Sequence, residues 1–342
     1  MYRPLRRAAF VILAVFAVLA VSATYLQAFA GPSYRDDPKN LRLVAWRTGR
    51  ERGAVVTSDG VVVARSDTNP DDPRVYRREY PEGDLYAQVV GYNSVLFGTR
   101  GLETTRSEDL VSNRGSTISG VLNALLGGDP RPRGLRLTID HELQQAAAEA
   151  LGEQTGAVIA IDPRTGAVKA MVSSPRFDPN SMIGFDAGPL GRDLEEDDES
   201  PLVNRAIERT YPPGSTFKIV TAAAALEAGL ASPSTVFDDP GELQLPGSTA
   251  TISNADGEPC DDGVEATLEQ AFVRSCNTIF ASLGMEVGAV RLAESAEAFG
   301  FNQSIPFDLD VITSPFPNAR SFASDLPATA QNSLGQRDVR AT

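Results

Sequence analysis

A chain of 342 residues with 45 acidic and 31 basic side chains, and so a formal net charge of −14, carries the wrong sign of field for nucleic acid as a partner. Its length leaves room for two domains and an anchor. With one histidine, two cysteines and no Cys/His cluster, it implies neither a metal site nor a cofactor, and a Ser-His-Asp triad would have only His141 to draw on.

Arg3, Arg6 and Arg7 precede a run from Ala8 to Ala30 that is apolar apart from Ser22, Thr24 and Gln27. At about 1.5 Å per residue such a helix crosses a hydrocarbon core of about 30 Å. The leading arginines predict a cytoplasmic N-terminus and an extracytoplasmic body. Ala28-Phe29-Ala30 also fits a signal-peptidase site, but the run exceeds a usual signal core, so an uncleaved single-pass anchor is the reading for residues 1–30.

A polar, arginine-rich segment follows to residue 50, then two β-branched runs from Arg52 to Ala64 around Ser58-Asp59-Gly60, which read as a hairpin. The cluster from Gly127 to Gly134 marks the boundary of an N-terminal domain, residues 31–130, in which no nucleophile–base pair is evident. The second domain, residues 131–342, opens with Leu135 to Asp140 and a helix from His141 to Leu151 capped by Asp140. Gly156 to Asp162 and Ala167 to Ser173 read as two strands joined by Pro163-Arg164-Thr165-Gly166. The acidic run from Asp193 to Glu199 is a solvated loop.

At Pro212-Pro213-Gly214 the chain makes a sharp turn into a helix-favouring stretch from Thr216 to Leu226, stopped by Gly229. Ser215 stands at the start and Lys218 one turn on, on the same face. A serine hydroxyl needs a neighbour to take its proton. Lysine serves if burial destabilises its ammonium, and the apolar helix that follows provides that setting. Lysine is scarce here: Lys39, Lys169 and Lys218 stand among 31 basic residues, and unlike arginine a lysine can release a proton. Sixty residues on, Ser275-Cys276-Asn277 lies between two helical stretches. Its serine can relay a proton, and its amide can hold both the lysine and a substrate amide. Outside the cytoplasm Cys260 and Cys276 are a disulfide candidate.

Taken together, Pro213-Gly214-Ser215-Thr216-Phe217-Lys218, Ser275-Cys276-Asn277, Leu137-Thr138-Ile139-Asp140, the Ala157 to Val172 hairpin and Gly335-Gln336 resemble the penicillin-binding domain of the class B penicillin-binding proteins. Arg52-Gly53, Tyr80-Pro81, Gly91-Tyr92 and Gly101-Leu102-Glu103 resemble that family's N-terminal pedestal. The resemblance implies an α+β protein: a transmembrane helix, a small mixed pedestal, and a serine acyltransferase domain with an antiparallel sheet and helices. It implies a D,D-transpeptidase that crosslinks peptidoglycan stem peptides during elongation or division and is inhibited by β-lactams. Ser215 would be the nucleophile, Lys218 its base, Ser275 the proton relay and Asn277 the orienting amide. Partners would be the membrane, a SEDS-type glycosyltransferase and other elongation or division proteins.

The family's third motif, Lys-Thr-Gly or Lys-Ser-Gly, is missing: no lysine follows Lys218, and Arg47-Thr48-Gly49 and Arg164-Thr165-Gly166 both precede the nucleophile. The expectation is a C-terminally truncated chain, inactive without that motif. Two other functions compete: a class D-like β-lactamase or β-lactam sensor, which usually has a hydrophobic residue where Asn277 stands, and a non-catalytic division scaffold, against which the intact serine–lysine set argues.

Overall fold

The computed structural model describes residues 2–25, 49–69, 75–111, 132–184, 186–255, 257–260 and 264–342. The expected cleavage site at Ala28-Phe29-Ala30, the juxtamembrane segment up to residue 48, and the Gly127 to Arg131 part of the boundary cluster lie outside them. The chain packs as two compact units, Met1–Gly152 with Ile159–Leu202, and Glu153–Val158 with Val203–Thr342.

The first helix, α1 (Tyr2–Tyr25), has 24 residues and leaves Phe10, Val11, Ile12, Leu13 and Phe16 exposed. Counted over the described residues, no helix is long and apolar enough to cross a membrane.

In the first unit β1 (Val55–Val56), β2 (Val62–Thr68), β3 (Tyr76–Glu79) and, after the short ribbon β4 (Asn93–Ser94) and β5 (Gly98–Thr99), β6 (Leu135–Arg136) include a four-stranded sheet. Its order is β3-β2-β1-β6, with β6 parallel to β1 and the other pairs antiparallel. The Ser58-Asp59-Gly60 turn joins β1 to β2 as the β-branched runs predict, with Thr57 N–H donating to Val61 O at 2.9 Å. Short helices α2 (Ala87–Val90), α3 (Leu102–Thr105) and α4 (Ser107–Leu110) complete the N-terminal part.

The centre of this part is ionic. Glu103, fully buried, lies 2.5 Å from the Nε atoms of both Arg52 and Arg78. The guanidiniums also donate to main-chain carbonyls, Arg52 to Glu103 O at 2.6 Å and Arg78 to Gly53 O at 2.9 Å. The Tyr80 hydroxyl, 3.3 Å from Glu103 Oε1, has its pKa pushed up by burial and by that carboxylate. These are residues of the Arg52-Gly53, Tyr80-Pro81 and Glu103 segments that sequence reading grouped without a contact between them.

Helix α5 (His141–Leu151) starts at the expected cap, with Asp140 accepting from Leu143 N–H at 3.2 Å. His141 stands in its first turn, with Nδ1 3.0 Å from the Tyr86 hydroxyl. Buried Gln144 fastens the helix to its neighbours, donating to Leu85 O and Met171 O and accepting from Met171 N–H. Strands β7 (Gly156–Ile161) and β8 (Val168–Ser174) form a two-stranded sheet joined through the turn closed by Gly166 N–H to Asp162 O at 2.8 Å. Helix α6 (Gly188–Glu196) carries part of the acidic run.

The second unit is built on helices: α7 (Lys218–Glu227), α8 (Leu268–Arg274), α9 (Asn277–Ala298), α10 (Ala319–Phe322) and α11 (Leu326–Ser333). Strands β9 (Val236–Asp238) and β12 (Glu265–Thr267) pair antiparallel, as do β10 (Glu242–Gln244) and β11 (Thr251–Ser253). The core joins Val220, Ala224 and Ala225 of α7 to Ile279, Phe280, Leu283 and Leu292 of α9 and Ala328 and Ala330 of α11. The alanines of α7 add little bulk, and polar pairs lock the approach: Thr221 Oγ1 donates to Ser333 O at 2.7 Å, and Ser333 Oγ to Phe280 O at 3.1 Å. Gly229, with φ of 66°, ends α7 where the stop signal stands.

Candidate active site

The chain does not enter α7 directly. Gly214–Phe217 form a 3₁₀ turn, and α7 begins at Lys218 rather than Thr216. In a 3₁₀ turn residues i and i+3 eclipse, so the tighter winding lines up Ser215 with Lys218 more closely than an α-turn would. Lys218 N–H donates to Ser215 O across that turn. Ser215 is exposed; Lys218 is only 2 % exposed.

The Lys218 ammonium makes three contacts, all to the second motif: Ser275 O at 2.6 Å, Ser275 Oγ at 3.0 Å and Asn277 Oδ1 at 2.7 Å. The Phe280 ring centroid lies 5.6 Å away. Burial lowers the lysine pKa to about 8. Two of its acceptors are carbonyl oxygens, which can only accept, so they hold two of its hydrogens whether it is charged or not. The third contact is a hydroxyl, which can accept from an ammonium or donate to an amine lone pair. The site therefore holds an amine that can lose one proton without losing its place.

Ser275 ends α8 in the left-handed region, with φ of 61° and ψ of 44°, while Ser275 N–H and Cys276 N–H close the helix on Phe272 O and Ala271 O. A glycine would hold this conformation more cheaply. The serine instead brings both its carbonyl and its hydroxyl onto Lys218. Helix α8 starts with a capping box between Thr267 and Gln270, which fixes its N-terminal end.

Asn277 opens α9. Its Nδ2 donates to Ser253 O at 2.9 Å, leaving Oδ1 for Lys218. Cys276, the residue between Ser275 and Asn277, is joined to Cys260 by a disulfide with the Cα atoms 5.7 Å apart. Thus Ser215, Lys218, Ser275, Asn277 and the cysteine pair all lie in the second unit, and the structure brings Ser275 and Asn277 together on the Lys218 amine.

Two contributions to the site were not read from the sequence: the role of Gly335 and a buried polar set. Gly335, in the Gly335-Gln336 landmark, has φ of 67°, and its carbonyl accepts from Gly214 N–H at 2.9 Å. A β-carbon at 335 would sit 2.3 Å from Gly214 O and 2.6 Å from Phe217 Cβ. Gly335→Ala is therefore expected to displace the 3₁₀ turn and lower the rate at which Ser215 is acylated by about 10²-fold; stopped-flow acylation with a chromogenic β-lactam checks this. The second is a buried polar set, Asp239 and Asn254 in separate loops with Thr278 in the first turn of α9, which shows no periodic signal.

Comparison with known proteins agrees with this geometry. The penicillin binding protein transpeptidase domain matches residues 156–334, and the penicillin binding protein A dimerisation domain matches residues 52–134. The peptidoglycan D,D-transpeptidase PbpA of Mycolicibacterium smegmatis is 39% identical over 352 aligned residues, covering 99% of this chain and 70% of that protein. Peptidoglycan D,D-transpeptidase MrdA of Escherichia coli is 34% identical over 64% of this chain and 33% of its own length. The ceftriaxone acyl-enzyme complex of penicillin-binding protein A from Mycobacterium tuberculosis superposes with a TM-score of 0.77 at 36% identity, covering 87% of this chain and 68% of that one. The chain belongs to the penicillin-binding protein transpeptidase family, class B.

Proposed function

We infer that the chain is a serine D,D-transpeptidase that crosslinks peptidoglycan stem peptides and that β-lactams acylate at Ser215. The observation that carries this reading is the Lys218 amine: buried, within 3.0 Å of Ser275 Oγ and Asn277 Oδ1, and one turn from an exposed serine. In the first half-reaction Ser215 Oγ attacks the carbonyl of the D-Ala–D-Ala bond while its proton passes to Lys218. The C–N bond breaks as Ser275 hands a proton, replenished from Lys218, to the departing amine of D-alanine. An acyl-serine ester remains, and Asn277 holds the lysine and the donor amide in register. In the second half-reaction an amine from another stem peptide attacks the ester, loses a proton to Lys218, and releases Ser215 with its proton restored. A β-lactam ring opens onto Ser215 by the first half alone.

The division of labour that goes with this is a pedestal over residues 31–130 and a transpeptidase domain over 131–342, with α1 and the apolar residues that follow it anchoring both to the outer face of the cell membrane. The support for the anchor is in the sequence, where Arg3, Arg6 and Arg7 precede the apolar run from Ala8 to Ala30. A SEDS-type glycosyltransferase and other elongation or division proteins are the partners this placement calls for. The test is to treat the full-length protein with penicillin and with a pentapeptide donor plus an amine acceptor, then digest it and map adducts by mass. A penicilloyl group on the peptide holding Ser215, and release of D-alanine with capture of the acceptor, are expected. An adduct elsewhere, or none, overturns the assignment.

A further inference from the structure

The amide that faces Lys218 is not held by its own helix. Cys276, at the N-cap position of α9, gives no side-chain cap. The first two N–H groups of α9, on Asn277 and Thr278, are instead received by a side chain from another loop: Asn254 Oδ1, at 2.7 and 3.2 Å. Asn254 is oriented in turn by Asp239, whose Oδ1 accepts from Asn254 Nδ2 at 2.8 Å and from Thr278 Oγ1 at 2.6 Å. The other carboxylate oxygen, Oδ2, accepts from Cys260 N–H. Asp239 is fully buried. Burial would raise its pKa, but the bonds from Thr278, Cys260, Asn254 and Gly241 outweigh that and hold it below its ordinary value. The disulfide then links Cys260, bonded to the carboxylate, to Cys276, the residue before Asn277.

We propose that Asp239 is a positioning residue for acyl transfer: through Asn254 and Thr278 it fixes the first turn of α9, and so sets Asn277 Oδ1 on the Lys218 amine. The chemistry asks for a carboxylate in particular. Donors converge on both of its oxygens, and an amide in its place would present N–H to at least one of them. Because Asn254 spends its Nδ2 on Asp239 Oδ1 and on Glu258 O, its oxygen is left turned toward α9. Loss of the carboxylate removes that preference. The amide of Asn254 is then free to flip, which would set N–H against the N–H groups of Asn277 and Thr278.

This inference rests on the acyl-transfer reading above, and its test separates the two. In the full-length protein, acylation by a fluorescent penicillin is resolved into a half-saturating concentration and a first-order acylation constant for Asp239→Asn, Thr278→Val and Thr278→Ser. Asp239→Asn is expected to lower the first-order constant by about 10²-fold, the scale of a small misplacement of reacting groups. Thr278→Val, nearly isosteric but without the donor, is expected to lower it about tenfold, while Thr278→Ser, which keeps the hydroxyl, stays within about twofold of the unsubstituted protein. Half-saturation is expected to change little in all three. If Thr278→Val acylates as fast as the parent, or if each loss merely tracks the fraction unfolded in a parallel melting curve, the positioning role is wrong. If the unsubstituted protein takes up no penicillin, it is the acyl-transfer reading that fails.

Discussion

Ser215→Ala is expected to leave no covalent penicillin adduct, and Lys218→Arg to slow adduct formation by about 10²- to 10⁴-fold, the share a positioned general base contributes. The two losses have different causes. Alanine removes the attacking oxygen. Arginine keeps the positive charge and can still donate to Ser275 O and Asn277 Oδ1, but its guanidinium does not give up a proton at any ordinary pH. Its bulk also has to fit where Lys218 is 2 % exposed, so a melting curve accompanies the kinetics. Rapid acylation of a folded Lys218→Arg protein would show that the base is some other group. Because Lys218 holds Ser275 and Asn277 through one amine, substitutions at the three positions should be far from additive: removing any one costs about as much as removing two.

The second large effect lies away from the chemistry. Glu103→Ala should destabilise the first unit by about 3–5 kcal/mol, because it strands the guanidiniums of Arg52 and Arg78, both buried, beside each other with no counter-charge. Glu103→Gln should cost less than alanine but remain damaging, since an amide supplies one acceptor oxygen where the carboxylate supplies two. Urea unfolding followed at the tyrosines of this unit measures both. An unchanged midpoint for Glu103→Ala would mean that the cluster does not hold the unit together.

Much of the site was legible because its parts sit at short range in the chain. Ser215 and Lys218 are three residues apart, so helix geometry predicts that they act together, while Ser275 and Asn277 are two apart at a helix junction and are close in space by chain proximity alone. The 3₁₀ turn was not legible: the Pro-Pro-Gly signal marks a sharp turn but does not choose between two helical windings. Asp239 and Asn254 were invisible for a different reason. A polar residue in a loop reads as solvated, and only the folded chain reveals that both are buried, with Asn254 Oδ1 receiving the first N–H groups of α9 and Asp239 holding Asn254 in place. Gly335 was noticed as a landmark, but its reason, contact with the backbone at Gly214, spans more than a hundred residues of sequence. In the first unit the hairpin and the α5 cap followed from local pattern, whereas the Arg52–Glu103–Arg78 cluster needed the sheet to bring three segments together.

The account as a whole depends on Lys218 being a neutral amine often enough to take a proton from Ser215. The measurement that bears on this most directly is the pH dependence of the first-order acylation constant, from about pH 5.5 to 10. Burial brings the lysine to about 8, so the reactive, unprotonated form grows as pH rises toward that value and saturates above it. The predicted profile climbs nearly tenfold per pH unit at low pH, bends near 8 and then levels, with the bend lost in Lys218→Arg. A profile that keeps climbing to 10, as an ordinary solvated lysine would give, or one that is flat across the range, would contradict it.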